Sequence, residues 1–241
     1  MFQLTAGTPI PPIPTSWDWA TKLPGSLGYM LNDQLGDCTC AGVGHLIQTL
    51  TANTSQMFTV PDKCILALYE TVGGYNPADP STDKGACMQD VLHYWQFQGV
   101  PRDTAESTWD KIITYVEVDP TNKLQVDRAI YELGGLYIGI DVQSTLMTSV
   151  DGQPGPVWSF DPTCTTSAGG HAIVLTGYDD ATGLYNLLSW GAKYQVTYEY
   201  IQKLCDEAYG VVSKDFITAQ GTTPLGLDLT DWQTVAKAIA A

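Results

Sequence analysis

The chain is short of positive charge: 11 Lys and Arg stand against 26 Asp and Glu, a formal net charge of -15. Such a surface repels phosphate backbones and anionic bilayers, which makes nucleic acid and membranes poor partners. No apolar run is long enough to cross a bilayer. The first residues, Met1-Phe2-Gln3-Leu4-Thr5-Ala6-Gly7, lack the basic region and apolar core of a signal peptide, so the expected setting is cytoplasmic. Histidine is scarce and scattered, with three in all, and no Cys-x-x-Cys pair occurs. Neither a metal site nor a cofactor is therefore expected. Charge runs and internal repeats are also missing, which argues against disorder.

The six cysteines (Cys38, Cys40, Cys64, Cys87, Cys164 and Cys205) are dispersed. Cys38 and Cys40 stand too close to pair with each other, and without a signal peptide mostly free thiols are expected. Cys64 and Cys87 fall on candidate helices, where they read as core residues. One dithiol in the helical half stays open.

What the chain does have is a sizeable apolar fraction, 44% of 241 residues, enough for one large domain or two packed lobes. Residues 8–31 are rich in Pro, Gly and Trp and read as an extended arm, with Trp17 and Trp19 as packing anchors. Helical spacing predicts helices over about 38–52, 61–71, 87–98 and 123–133. Gly42 and Gly44 inside the first of these imply close packing. The second half is β-rich, with strands over 136–142, 171–178 and 184–190, a short helix over 198–209, and a strand near Val211. Thr230-Asp231-Trp232-Gln233 is a capping box opening a short terminal helix. A helical first half and a β-rich second half predict an α+β protein of two lobes with a cleft between them.

Two stretches carry the chemistry. Asn32-Asp33-Gln34-Leu35-Gly36-Asp37-Cys38 places a thiol where a loop becomes a helix, with Asp37 as the expected cap. Gly169-Gly170-His171-Ala172-Ile173-Val174 places an imidazole at the head of an apolar strand. A helix N-terminus and a nearby imidazolium would both lower the thiol pKa. The Gln34 amide and the Cys38 N–H would then hold a developing oxyanion. Each feature alone has a bland reading: a packed cysteine, a strand-edge histidine. His45 reads as structural or exposed, and His93 as solvated.

In order and approximate spacing these motifs resemble the papain-like cysteine peptidases. Pro14-Thr15-Ser16-Trp17-Asp18-Trp19 matches that family's arm, Asn32-Asp33-Gln34 its glutamine region, and Gly36-Asp37-Cys38-Thr39 its nucleophile. Ala129 to Asp141 resembles its helix-to-strand step, His171 to Tyr178 its histidine strand, and Ser189-Trp190-Gly191 part of its Asn-Ser-Trp-Gly motif. The resemblance implies a papain-like fold over 1–241: arm plus helical lobe to about 122, a β-rich, barrel-like lobe over about 123–227, and a C-terminal helix extension over 228–241.

The same resemblance implies a peptide- or protein-cleaving thiol hydrolase with Cys38 as nucleophile and His171 as its base. Departures from the pattern leave alternatives open. Gln34 sits too close to Cys38 for the family's spacing, and counting from Gln34 would make Cys40 the nucleophile. The histidine-orienting Asn is replaced by Leu188, so Asn186 or Ser189 is expected to substitute. The rival expectation is a catalytically weak or inactive structural or binding protein of the same fold. Compact papain-like proteins of bacteria and phages are similar. Arm and tail then suggest a homo-oligomer or larger assembly, such as a phage particle.

Overall fold

A computed structural model of the chain describes residues 12–148 and 155–239. Thr8 to Pro11 of the expected arm, part of the loop after Gln143, and the last two residues of the tail lie outside that range.

The elements run in chain order as β1 (Ser16–Asp18), α1 (Cys38–Thr54), α2 (Asp62–Gly73), α3 (Met88–Phe97), β2 (Val100–Pro101), β3 (Trp109–Asp110) and β4 (Ile112–Glu117). They continue as α4 (Lys123–Leu133), β5 (Leu136–Gln143), β6 (Val157–Trp158), β7 (Ser167–Asp179), β8 (Leu184–Ser189), β9 (Ala192–Thr197), α5 (Tyr198–Leu204), β10 (Cys205–Ser213) and α6 (Leu229–Ile239). The fold is mixed α+β, as expected. One large sheet runs in the order β4-β10-β5-β7-β8-β9-β6, with β1 pairing β7 off that path and β6 parallel to β9. Among the described residues β4 and β6 are the edges of this sheet, and no closed barrel forms where a barrel-like lobe was expected.

Helix α1 lies across the sheet. Apolar Val43, Leu46, Ile47 and Leu50 recur along it, and so many of its residues are buried that it has hardly any solvent face. Its glycines permit that depth. A Cβ on Gly42 would stand 2.7 Å from the Tyr137 ring of β5, and one on Gly44 would meet Met30. Both α2 and α4 stop at a left-handed glycine, Gly74 and Gly134. Asn122 caps α4 by accepting from the Gln125 N–H.

The arm docks as a strand. Trp17 pairs with Tyr178 across β1 and β7, and the Trp19 indole donates to the Ile130 carbonyl at 2.8 Å in the core. At the other end, Trp232 of α6 is buried beside Phe216 and donates to the Glu132 carbonyl at 2.8 Å. The tail helix thus finds the packing surface that its short length requires.

Three expectations change. The helix expected to run on to Tyr209 stops at Leu204, because the following residues become β10, which pairs with both β5 and β4. Residues 205–209 pair with β5 and residues 209–213 with β4, and that segment gains more from the ladder than from helix propensity. Strand β4 arises in the half read as helical, so residues before 122 also contribute to the sheet. Cys87 is exposed at the start of α3 rather than in the core, whereas Cys64 is buried. All six thiols are free. His45 is buried, with Nδ1 2.9 Å from the Gln48 amide oxygen, and His93 is exposed.

The tightest approach of the arm's backbone is at Gly177, where a Cβ would stand 2.5 Å from the Trp17 carbonyl and 2.9 Å from the Asp18 Cα. Backbone cannot yield as a flexible side chain does. Gly177→Ala should therefore destabilise the protein by ~1–3 kcal/mol. Calorimetry should show a Tm lower by about 2–12 °C. An unchanged Tm would mean that β1 does not anchor the arm.

Candidate active site

Cys38 is the first residue of α1, and the turn before it runs through Asn32 to Asp37. The next residue fixes the helix start to the sheet: the buried Tyr137 hydroxyl of β5 donates to the Thr39 carbonyl at 2.7 Å. Held this way, the thiol opens into a groove of about 680 Å³. Asn32 and Gly36 of the turn, the 83–88 loop, Gly139 and Ile140 of β5, His171 and Ala172 of β7, Trp190, and Asp206 and Glu207 of β10 line it. The thiol and the imidazole expected from distant parts of the chain therefore face one groove. The backbone N–H of Ala172, the residue after His171, also acts on the Cys38 sulfur as a hydrogen-bond donor.

His171 is held on two sides. Its Nε2 lies 2.8 Å from the Ser189 Oγ, and its ring stacks on Trp190 with centroids 4.3 Å apart at 14°. With the proton on Nε2, that N–H donates to the hydroxyl and Nδ1 is left as the basic nitrogen. Trp190 reaches this position through a left-handed backbone (φ 44°), and Gly191 follows at φ 68°. A Cβ on Gly191 would collide with the Gly28 carbonyl at 2.7 Å, so the loop before Cys38 packs directly on the turn that carries Trp190.

Burial dominates the electrostatics. It pushes the His171 pKa down to about 4. Burial also raises the Cys38 thiol above its ordinary value; the Ala172 N–H lowers it in part, and the Asp37 carboxyl raises it further. The expected thiolate–imidazolium pair is therefore not the favoured resting form. A neutral thiol beside a neutral imidazole is favoured, because each lone charge would be poorly solvated. The helix start gives less help than expected, since Asp37 makes no side-chain cap.

The other expected residues divide clearly. Ser189 meets His171. Asn186 does not: its amide oxygen accepts from Gln195 at 3.0 Å, and it pairs with Gly177 across the sheet. At ~3.3 Å per residue, that position lies about 20 Å along β7 from His171. Leu188, opposite Val174, belongs to the core. Gln34 is exposed, sits outside the groove lining, and donates to Asp33. Cys40 is fully buried, with its pKa driven far up by burial, and has no access to the groove. The residue missed in the sequence is Asn32. It lines the groove and donates to the Leu35 carbonyl at 3.1 Å, and its amide also acts on the Asp37 carboxyl. The spacing that linked Gln34 to Cys40 reaches Asn32 when counted back from Cys38, a signal that was present in the sequence.

This architecture is the papain-like cysteine protease fold. Similar solved structures include xylellain, a cysteine protease from Xylella fastidiosa, at 17% identity and a TM-score of 0.64, covering 84% of this chain and 87% of that one. The Carica candamarcensis cysteine protease CMS1MS2, solved in complex with E-64, matches at 13% identity and a TM-score of 0.61 over 83% of this chain and 99% of that one. Digestive procathepsin L 3 of the Tenebrio molitor larval midgut matches at 14% identity and a TM-score of 0.59, over 84% and 71% respectively. No protein-family model matches the chain, and no curated protein matches it in sequence.

The geometry separates the two candidate partners of His171. Ser189→Ala should slow alkylation of Cys38 by iodoacetamide roughly 10–100-fold, as loss of an orienting partner does for functional histidines elsewhere. Asn186→Ala should leave the rate unchanged. The reverse ranking would reject the Ser189 contact as the orienting one.

Proposed function

We propose that the protein is a thiol hydrolase that cleaves peptide or amide bonds. The observation that supports this most is that Cys38 and His171 open to one groove while Ser189 and Trp190 clamp the imidazole. His171 Nδ1 takes the Cys38 proton as the sulfur attacks the substrate carbonyl. The new oxyanion is met by the Cys38 N–H and the Asn32 amide, in the role first assigned to Gln34. The C–N bond breaks as His171 returns the proton to the leaving amine, and a thioester remains on Cys38. Water then loses a proton to His171, attacks the thioester and releases the acid, and the thiol is restored.

The groove also suggests which peptides enter. Asp83, Asp206 and Glu207 line it against the single cation Lys84. Peptides with Lys or Arg near the scissile bond should be cut faster than acidic ones, and the difference should shrink as salt rises. Equal rates across a charge-varied fluorogenic series would reject this preference.

A second reading keeps the fold without the chemistry, as a structural or binding component of a multimeric assembly. It is favoured by Leu188, buried where the resemblance would place the orienting Asn, and by the cost of charging either group alone. Turnover decides between the two. Cys38→Ser and His171→Ala should abolish cleavage of a fluorogenic peptide library, whereas Cys40→Ser should keep it. Activity that survives Cys38→Ser would end the first reading. Labelling experiments must be mapped by peptide, because hydrogen bonds from Ser144 and Thr145 hold the Cys164 pKa down at about 6, away from the groove.

A further inference from the structure

The residue before the nucleophile carries a carboxyl that nothing above employs. Asp37 is completely buried, and neither of its carboxylate oxygens has a well-formed hydrogen bond. It stands at the N-terminal boundary of α1 without capping it, while its backbone carbonyl accepts from the Cys40 and Ala41 N–H groups. A buried unpartnered carboxylate is costly, and this one adjoins a thiol whose charge matters.

The polar and titratable groups acting on it, from every neighbouring segment, are Asn32 and Asp33 of the preceding loop, Asp83 of the loop before α3, the Tyr69 hydroxyl of α2, and the Cys38 and Cys40 thiols of α1. None of these is a cation. The Tyr69 hydroxyl is already committed, donating to Asp83 at 2.5 Å and accepting from the Gly85 N–H at 2.9 Å. Asp37 takes part in none of the ion pairs among the described residues. Its surroundings therefore favour the protonated acid. Burial, reinforced by Asp83 and Asp33 and opposed by the Asn32 amide, raises its pKa to about 7.

We propose that Asp37 is a proton-controlled brake on the Cys38 thiol: as a neutral acid it leaves thiolate formation unopposed, and as a carboxylate it holds the proton on sulfur. It acts through Cys38 without touching substrate. The inference rests on Cys38 being the accessible nucleophile, but not on which bonds the protein cleaves.

The test is the rate of Cys38 alkylation by iodoacetamide from pH 5.5 to 8.5, followed by mass spectrometry of the Cys38 peptide, in the wild type and in Asp37→Asn. A like charge at this separation shifts a pKa by about one unit, which is tenfold in thiolate. The variant-to-wild-type ratio should be near one at pH 5.5, where both side chains are neutral, and should climb to about tenfold by pH 8.5. A ratio that is flat across the range would overturn the proposal, since a purely structural effect has no reason to follow the ionisation of a carboxyl. Asp37→Ser should reproduce the same climb without the shape of the amide. Alkylation of Cys38 in neither protein would overturn both the brake and the nucleophile assignment. Should the variants fail to fold, the wild type answers by infrared spectroscopy. A protonated-carboxyl band that is present at pH 5.5, lost by pH 8.5 and kept in Asp215→Asn, which removes the other strongly raised carboxyl, supports the proposal, and its absence at pH 5.5 overturns it.

Discussion

The seating of α1 against the sheet is the constraint on which the rest depends. The Tyr137 hydroxyl holds the Thr39 carbonyl, and the same ring lies over Gly42, where any side chain would collide with it. Together they fix both the depth of the helix and the position of its first turn. The groove forms where that turn meets β5 and β7, and the sulfur emerges beside the Ala172 N–H. A helix seated one side chain further out would keep the same fold class and lose the meeting of the two groups. Overpacked cores displace backbone in this way at a cost of ~1–3 kcal/mol.

Burial gives the site its character. The same close packing that brings thiol and imidazole together removes water from both, and it acts against the charged form of each. Burial thus favours the neutral form of each group. Trp190 contributes to this by covering one face of the imidazole. Asp37 belongs to the same pattern, as an acid group kept dry beside a nucleophile.

The second half of the chain builds the site by register. His171 pairs with Ile140 across β7 and β5, and Gly139 pairs with both Ala172 and Glu207, so His171 and the acidic residues come from adjacent register positions of three paired strands. The arm closes the far end of β7 through β1, and α6 covers α4, so both ends of the described chain pack on the body.

Much of this was legible in the residues. The helical spacing of Val43, Leu46, Ile47 and Leu50, the Asn122 cap and Gly134 stop of α4, and the apolar run after His171 are local signals, and local physics reads them. So were the thiol at a helix start and the histidine at a strand head, because those are statements about single segments. Other features depend on partners distant in sequence. Residues 205–209 continue a helical pattern until β5 pairs with them. Gln34 and Asn32 are equally good amide donors, and only the path of the turn sends one to solvent and the other to the groove. Asn186 and Ser189 are both polar neighbours of a strand end, and only the pairing of β7 with β8 decides which reaches His171. The sequence by itself determined which groups could do chemistry. Tertiary structure decided which of them meet and in what charge state, because proximity and desolvation are properties of packing and not of any one stretch of chain.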